Sequence, residues 1–448
     1  VPTADGPLVA VVGGGLAGMA AAARLAKMGH AVVLHEASDV LGGRWAPYAL
    51  PGDGGGGGGG GGGKILVDDA PGVLTFPAPW RDLSRKSGRP LEAELARSGL
   101  ALVPAPAPTY RFADGSELVL PSDRGRQHEA LLHAYGPGPA ARWQHLLDSL
   151  GEVWQTLRPL GLEEPYDPSA LTRDVVRRLR GRRSLADLAD SLDEPHLRAL
   201  VRSTAHRQGT TPERAPALTG VDLLVSRTFG RWQVAPDPAP ARGRRPEAPG
   251  DVGRSSVLVE LLAARLALRG VAVHLSSPVR GVETGPAGVT GVRTATGVEP
   301  AGAVVLAVDP WTAAGLLPPG AARGLRKALR GAGPVRLPVA THTVLDRTGP
   351  EEVDEHVELD GDGRPVVRTT RRLSGRTVRT THDHHAGVPA PGWGLDTTGL
   401  RGWRRRPGTA TAQPGVALAG AASPAGSSPS AVVQSGALAA YAVAGRRD

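Results

Sequence analysis

From Leu8 to Val12 every position is apolar (LVAVV), a pattern that suits a strand covered on both faces. Glycines follow, and then the alanine-rich segment Met19–Ala26, whose small side chains predict a helix able to lie close against that strand. Gly29 ends the helix, and Ala31–Glu36 (AVVLHE) reads as a second buried strand. Strand, helix, strand in this order opens a parallel α/β unit.

The pattern then changes. Apolar residues three and four apart around His128–Tyr135, Ala140–Leu157, Leu171–Arg180 and Leu185–Leu192 predict a mainly helical middle region. Pro236–Gly250 (PDPAPARGRRPEAPG) reads as a linker or exposed loop, and Gly54–Gly63 as a flexible surface loop that cannot pack. Ser255–Gly270 predicts a strong helix, Val271–Leu275 a short strand, and the runs at 279–283, 288–297 and 301–310 further strands. A mixed region over 334–406 precedes a last apolar strand, Gly415–Gly420, and a last helix from about Ser430 to Ala444. Elements of one nucleotide-binding unit thus fall at the start, middle and end of the chain. The expected division is a discontinuous Rossmann-like domain over 7–80, 252–312 and 407–446, an inserted mixed α+β substrate domain over 81–251 and 313–406, and a glycine-rich loop over 52–63.

Composition narrows the chemistry. The 448 residues contain no cysteine, which removes disulfides, thiolate metal sites and cysteine nucleophiles. The net charge of +9 is carried almost wholly by arginine, yet aromatic residues make up 4% and no recognition motif accompanies the cations, so nucleic-acid binding is not expected. No run of about 18 apolar residues and no secretory leader is seen, which makes a cytoplasmic protein the expectation.

The glycines carry the sharpest signal. In VVGGGLAG, Gly13 suits a tight turn, Gly15 a close approach of backbone to pyrophosphate, and Gly18 close helix–strand packing. The free amides of Leu16 and Ala17 and the positive end of the helix dipole then face the phosphates. Glu36, followed by Ala37, stands at the end of the second strand, where a carboxylate can hold the ribose hydroxyls of an adenosine. The continuation Gly42-Gly43-Arg44 adds a second bare backbone segment and a guanidinium near the diphosphate, which favours FAD over NAD.

At these residues the sequence resembles the FAD-dependent amine oxidase and phytoene desaturase superfamily. The narrower resemblance is to the phytoene (carotenoid) desaturase branch, through Asp68–Pro77 (DDAPGVLTFP), which is similar to that branch's D-x-G-P-x-x-L-T-x-P, and through Pro106–Leu118. Gly415–Ala440 resembles the family's closing FAD motif, with departures at Ser427, Ser428 and Ser430. The resemblance implies that Gly420 and the helix start at Ser430, Ala431 and Val432 approach the pyrimidine edge of the flavin, and that the backbone of Val279 meets the adenine. It implies noncovalent FAD and hydride transfer from a carbon centre of a lipophilic small substrate to flavin N5. Amine oxidase-like or protoporphyrinogen oxidase-like chemistry, or a non-redox isomerase, is the alternative.

Several features draw weaker expectations. Lys327 reads as part of a solvated helix face, and Asp68 and Asp69 as turn-capping groups, leaving the catalytic residues unassigned. His382, His384 and His385 lie too close in one strand to converge on a metal, so no metal site is expected. The basic run Arg177, Arg178, Arg180, Arg182 and Arg183 reads as a solvated face, with contact to an anionic membrane surface as its other use.

Overall fold

The computed structural model describes residues 8–50, 64–238, 250–346 and 349–444. The glycine run expected as a loop over 52–63, and most of Pro236–Gly250, lie outside these residues apart from their edges.

Five short strands form a wholly parallel sheet: β1 (Val9–Val12), β2 (Val32–His35), β3 (Ala272–His274), β4 (Ala303–Leu306) and β5 (Val416–Leu418), in the spatial order β3-β2-β1-β4-β5. The alternation of a strand sorts β1 into two cores. Val9 and Val11 face helices on one side, while Ala10 and Val12 face the other layer. On the first side lie α1 (Leu16–Lys27), α2 (Val257–Leu268) and α3 (Pro429–Ala444). Ala20–Ala23 are fully buried, and the small residues let α3 come so near that a Cβ on Gly436 would stand 2.2 Å from the Ala17 carbonyl oxygen.

On the second side a three-stranded antiparallel sheet, Gly281–Gly285, Gly288–Arg293 and Val298–Pro300, packs together with the helices Pro310–Leu316 and Pro319–Ala328. Ala313, Ala314, Leu317 and Leu325 share one core with Ala10, Val33 and Leu306 of the parallel sheet. Trp80, Leu83, Leu91 and Leu95, from the helices Ala78–Ser87 and Leu91–Arg97, join the opposite core. Residues of 81–97 and 313–329 thus share the two cores that flank the parallel sheet.

The remainder is an α+β layer. A six-stranded sheet takes the order 340–345, 376–383, 365–373, 354–359, 109–111, 117–119, and is antiparallel except where 354–359 pairs with 109–111. Helices Arg124–Tyr135, Pro137–Leu157, Pro195–Arg207 and Val221–Phe229, with shorter ones at Arg173–Arg178 and Leu185–Ala189, enclose a core around Trp143, Leu147, Leu150 and Leu185. The mixed region over 334–406 is therefore mainly strand.

Candidate functional site

The turn from β1 to α1 is built as its glycines require. Gly13 has a φ of +103°, and a Cβ there would meet the Ala307 carbonyl oxygen at 2.5 Å. Gly18 is closed more tightly still, with an added Cβ only 1.9 Å from the Gly13 carbonyl oxygen. Gly15 is different: it has an ordinary φ of −75°, and nothing lies within 4 Å of where its Cβ would be. Its bareness keeps open a space that the fold itself does not fill. Gly15 also caps α1 without a side chain, and no acid stands in the first turn, so the amides of Leu16 and Ala17 start a helix with its positive end uncovered.

A second bare segment lies alongside. The Gly42 amide donates to the Gly14 carbonyl at 2.8 Å, and a Cβ on Gly43 would approach only the Cα of Gly15, at 3.3 Å. Glu36 closes the far end. Its Oε2 accepts from the Gly14 amide at 2.6 Å, and its Oε1 accepts from the amide and hydroxyl of Ser38 at 2.8 and 2.9 Å. Three accepted bonds fix the carboxylate and leave lone-pair capacity for hydroxyls. The turn that carries Val279 packs beside it, since the Ser277 amide donates to the Glu36 carbonyl at 2.8 Å. Ala37 is exposed at the rim.

Arg44 follows in a single helical turn, with its guanidinium 5.5 Å from the ring centroid of Trp393. Partial burial lowers its pKa, and the Asp69 charge opposes that shift. Trp393 lines a cavity of about 390 Å³, and its buried Nε1 has no hydrogen-bond partner. An orphan donor at the junction of groove and cavity fits a bound group that supplies the acceptor.

The closing motif reaches the same junction. Gly420 follows β5 with a φ of +134°, and its amide donates to Ser435 Oγ on α3 at 2.9 Å. At the start of α3, Ser428 takes two of the free amides: its hydroxyl accepts from Ala431 at 3.2 Å and its carbonyl from Val432 at 2.9 Å. Fully buried Ser430 donates to the Thr75 carbonyl at 3.3 Å, which joins this motif to the Asp68–Pro77 segment. Phe76, next along that segment, lines the cavity with a φ of +55°. That conformation costs a bulky residue about 1–3 kcal/mol, and it sets the ring edge-on to Trp154 at 5.5 Å and 4.8 Å from Phe229.

The cavity between α3 and the helical layer gathers aromatic side chains from distant segments: Phe76, Tyr110, Trp143, Trp154, Trp393 and Trp403. Aromatic residues make up only 4% of the chain, yet six of them converge here. Its charges are also specific. Arg227 pairs with Asp148 at 2.9 Å, and Arg231 with Glu355 at 3.0 Å. Burial pushes the Glu355 carboxyl upward, but Arg231 and Arg207 outweigh it and hold the group below its usual range. Arg406 has only carbonyl partners, Leu395 at 3.0 Å and Ser423 at 3.4 Å, and burial lowers it to about 10 against the pull of Asp396. Asp222 opens on the cavity, exposed to it, with Gln208 Nε2 donating to it at 2.6 Å, and desolvation by the surrounding walls raises its pKa. None of these groups carried a local sequence signal.

The other candidates have structural partners. Asp68 pairs with Arg371, while Asp69 accepts from the Tyr48 hydroxyl at 2.7 Å. The imidazoles of the HDHH run diverge, His382 to the Asp69 carbonyl, His384 to the His206 carbonyl and His385 to Asp383 and Asp360. Arg177 and Arg178 face Asp174, and Arg180 donates to the Ser149 carbonyl. Lys327 sits on the helix Pro319–Ala328, away from the cavity just described.

Sheet order, glycine turn and the carboxylate at the end of β2 are the features of a dinucleotide-binding α/β protein. Comparison with known proteins makes this specific: the pattern of the family described as flavin containing amine oxidoreductase matches residues 16–378, and the chain belongs to that family. Its cofactor is FAD, which the bare groove at Gly15 and Gly43 fits. Among curated proteins, a phytoene dehydrogenase of Streptomyces griseus is 28% identical over 235 residues, 51% of this chain and 43% of that one. A 4,4'-diapophytoene desaturase of Staphylococcus haemolyticus is 24% identical over 230 residues, 50% of this chain and 42% of that one. The chain thus matches less than half the length of these curated relatives. Among solved structures, a putrescine oxidase bound to putrescine shares the fold with a TM-score of 0.61 at 16% identity, covering 98% of this chain and 99% of that one. Among the described residues no helix is long and apolar enough to cross a membrane.

Proposed function

We propose that this protein is an FAD-dependent oxidoreductase that removes hydride from a carbon centre of a neutral, lipophilic small molecule. In this reading Gly13, Gly15, Gly18 and the amides of Leu16 and Ala17 hold the pyrophosphate, with Gly42, Gly43 and Arg44 on its other side. Glu36 and Ala37 take the ribose, and Val279 the adenine. Gly420, Ser430, Ala431 and Val432 border the ring system. Bound there, FAD supplies the two-electron acceptor. The positive end of α3 favours negative charge at the adjoining ring edge, although Ser428 already occupies the amides of Ala431 and Val432.

The observation that carries the reading is the aromatic cavity opening directly on this junction, bordered by Phe76, Trp393 and Ala431. Four guanidiniums and one carboxylate line it; Asp148 and Glu355 pair with Arg227 and Arg231, which leaves Arg207 and Arg406 against Asp222, a balance that disfavours a cation. In the arginine run Arg177 and Arg178 pair with Asp174, Arg180 donates to the Ser149 carbonyl and Arg183 to the Asp187 carbonyl, while Arg182 is exposed; this reading does not rest on membrane contact. One observation favours a second reading, an amine donor: the six aromatic rings together with Asp222 could hold an ammonium group.

Anaerobic mixing of the holoprotein with lipophilic alkenes and polyenes, porphyrinogens and amines tests this. Bleaching of the flavin by a neutral apolar compound is expected. Bleaching by amines alone would overturn the neutral-substrate reading.

A further inference from the structure

A cluster of side chains outside the cavity has no place in this chemistry. His35 and His274 occupy paired positions on the neighbouring parallel strands β2 and β3, so their imidazoles project from one face of the sheet. Glu299, on the strand Val298–Pro300, approaches both. One ligating atom from each of the three residues lies within 4.8 Å of the other two.

We propose that His35, His274 and Glu299 form a site for a divalent transition metal of the zinc class, beneath the adenosine end of the cofactor groove. Three features support it. First, His35 is wholly buried, and its Nε2 has no hydrogen-bond partner, which is costly unless something else occupies the lone pair. Second, this nitrogen stands 3.5 Å from Glu299 Oε2, and His274 Nδ1 stands 3.8 Å from the same oxygen. Those gaps are long for hydrogen bonds. With metal–ligand bonds of about 2.0–2.2 Å, however, the edge of a tetrahedron is about 3.4 Å. Third, the other ring nitrogen of His35, Nδ1, lies 3.1 Å from Ser277 Oγ. A hydrogen bond on that side fixes the ring and directs the lone pair of Nε2 at the cluster, the arrangement that supports metal-bound imidazoles.

The donor set selects the ion. Two imidazoles and one carboxylate suit zinc, cobalt or nickel, whereas magnesium and calcium prefer oxygen ligands. The His274 side chain is 46% exposed, so an ion has a way in and a fourth position open to water. The site also touches cofactor binding. His35 directly precedes Glu36, and Ser277, which contacts His35, donates its amide to the Glu36 carbonyl. An ion here clips β2, β3 and the edge strand together under the ribose.

The test uses holoprotein stripped with a chelator and titrated with Co²⁺, then with competing Zn²⁺. One ion per chain is expected, with the visible absorption of a four- or five-coordinate Co²⁺ and a higher melting temperature. Glu299→Gln and His274→Ala should each weaken binding at least tenfold while flavin content shows that the protein remains folded. His385→Ala, in the HDHH run, should bind as the unaltered protein does. Absence of binding, a six-coordinate spectrum, or binding lost with His385→Ala but kept in the other two variants would overturn the proposal.

Discussion

Asp68 and Arg371, 303 residues apart, form an ion pair at 2.9 Å with neither side chain exposed at all. The guanidinium also donates to the carbonyls of Gly253 and Asp68 and to Thr380 Oγ1, and Asp68 accepts from the Ser256 amide at the head of α2. This knot joins the Asp68–Pro77 segment, α2 and the six-stranded sheet. Asp68→Asn leaves a buried guanidinium uncompensated and should cost about 3–5 kcal/mol. Urea unfolding should show that loss, and a double variant with Arg371→Met should recover part of it.

Gly15 and Gly18 stand one helical turn apart and should fail differently. A valine at Gly15 enters space that no protein atom fills, so the fold should persist while FAD is excluded. At Gly18 the same side chain collides with the Gly13 carbonyl, so stability should fall as well. Circular dichroism beside flavin absorbance separates the outcomes: Gly15→Val is expected folded and colourless. A yellow Gly15→Val protein would mean that the pyrophosphate lies elsewhere.

Glu36→Ala removes a carboxylate that accepts one bond from the Gly14 amide and two from Ser38 before any ribose is present. Hydrogen bonds to a charged group are worth about 1.5–3 kcal/mol, so FAD affinity should fall roughly 10- to 150-fold. Titration of the apoprotein with FAD measures it, and unchanged affinity would place the adenosine elsewhere.

His384 gives a pH dependence. Burial lowers its pKa from 6.5 to about 3, the Arg207 guanidinium adds to the shift, and the His206 carbonyl opposes it. The folded protein therefore holds this imidazole neutral. Below pH 6.5 the unfolded chain takes up the proton first, so the contribution is full above pH 6.5 and is lost as pH falls toward 3. One such group adds a slope of up to about 1.4 kcal/mol per pH unit. Denaturation midpoints between pH 7 and 4 should fall less steeply for His384→Gln, and an equal slope would remove His384 as a contributor.

What could be read from the sequence follows from how locally each feature is encoded. LVAVV and AVVLHE are apolar because both faces of a parallel strand are covered, and VVGGGLAG is crowded with glycine because turn, groove and helix contact occur within six residues. The groove was legible for that reason. The cavity was not: Phe76, Trp154, Asp222 and Trp393 come from four separate segments, and only Phe76 lies in a recognisable motif. The helix Pro195–Arg207 lies outside the segments expected as helical, although its Leu197, Leu200 and Val201 keep the three- and four-residue spacing of a buried face. In the structure these three reach the core. His35, His274 and Glu299 gave no signal at all, since pairing of β2 with β3 joins the two histidines and a strand of a separate sheet brings Glu299 to them.

Asp222 separates the two substrate readings. It is the one carboxylate lining the cavity among the described residues, and its side chain is exposed there, with the Gln208 amide donating to it. Asp222→Asn keeps the shape, preserves a partner for Gln208, and removes that charge. If the substrate is neutral and apolar, the rate of flavin reduction should change by no more than a fewfold. If an ammonium group is held there, losing its counter-charge should reduce amine affinity by about 10- to 150-fold, the scale of a charged hydrogen bond. Anaerobic stopped-flow reduction of wild type and Asp222→Asn, over a range of substrate concentrations, reads the difference. A large loss confined to amines would transfer the site to the amine reading.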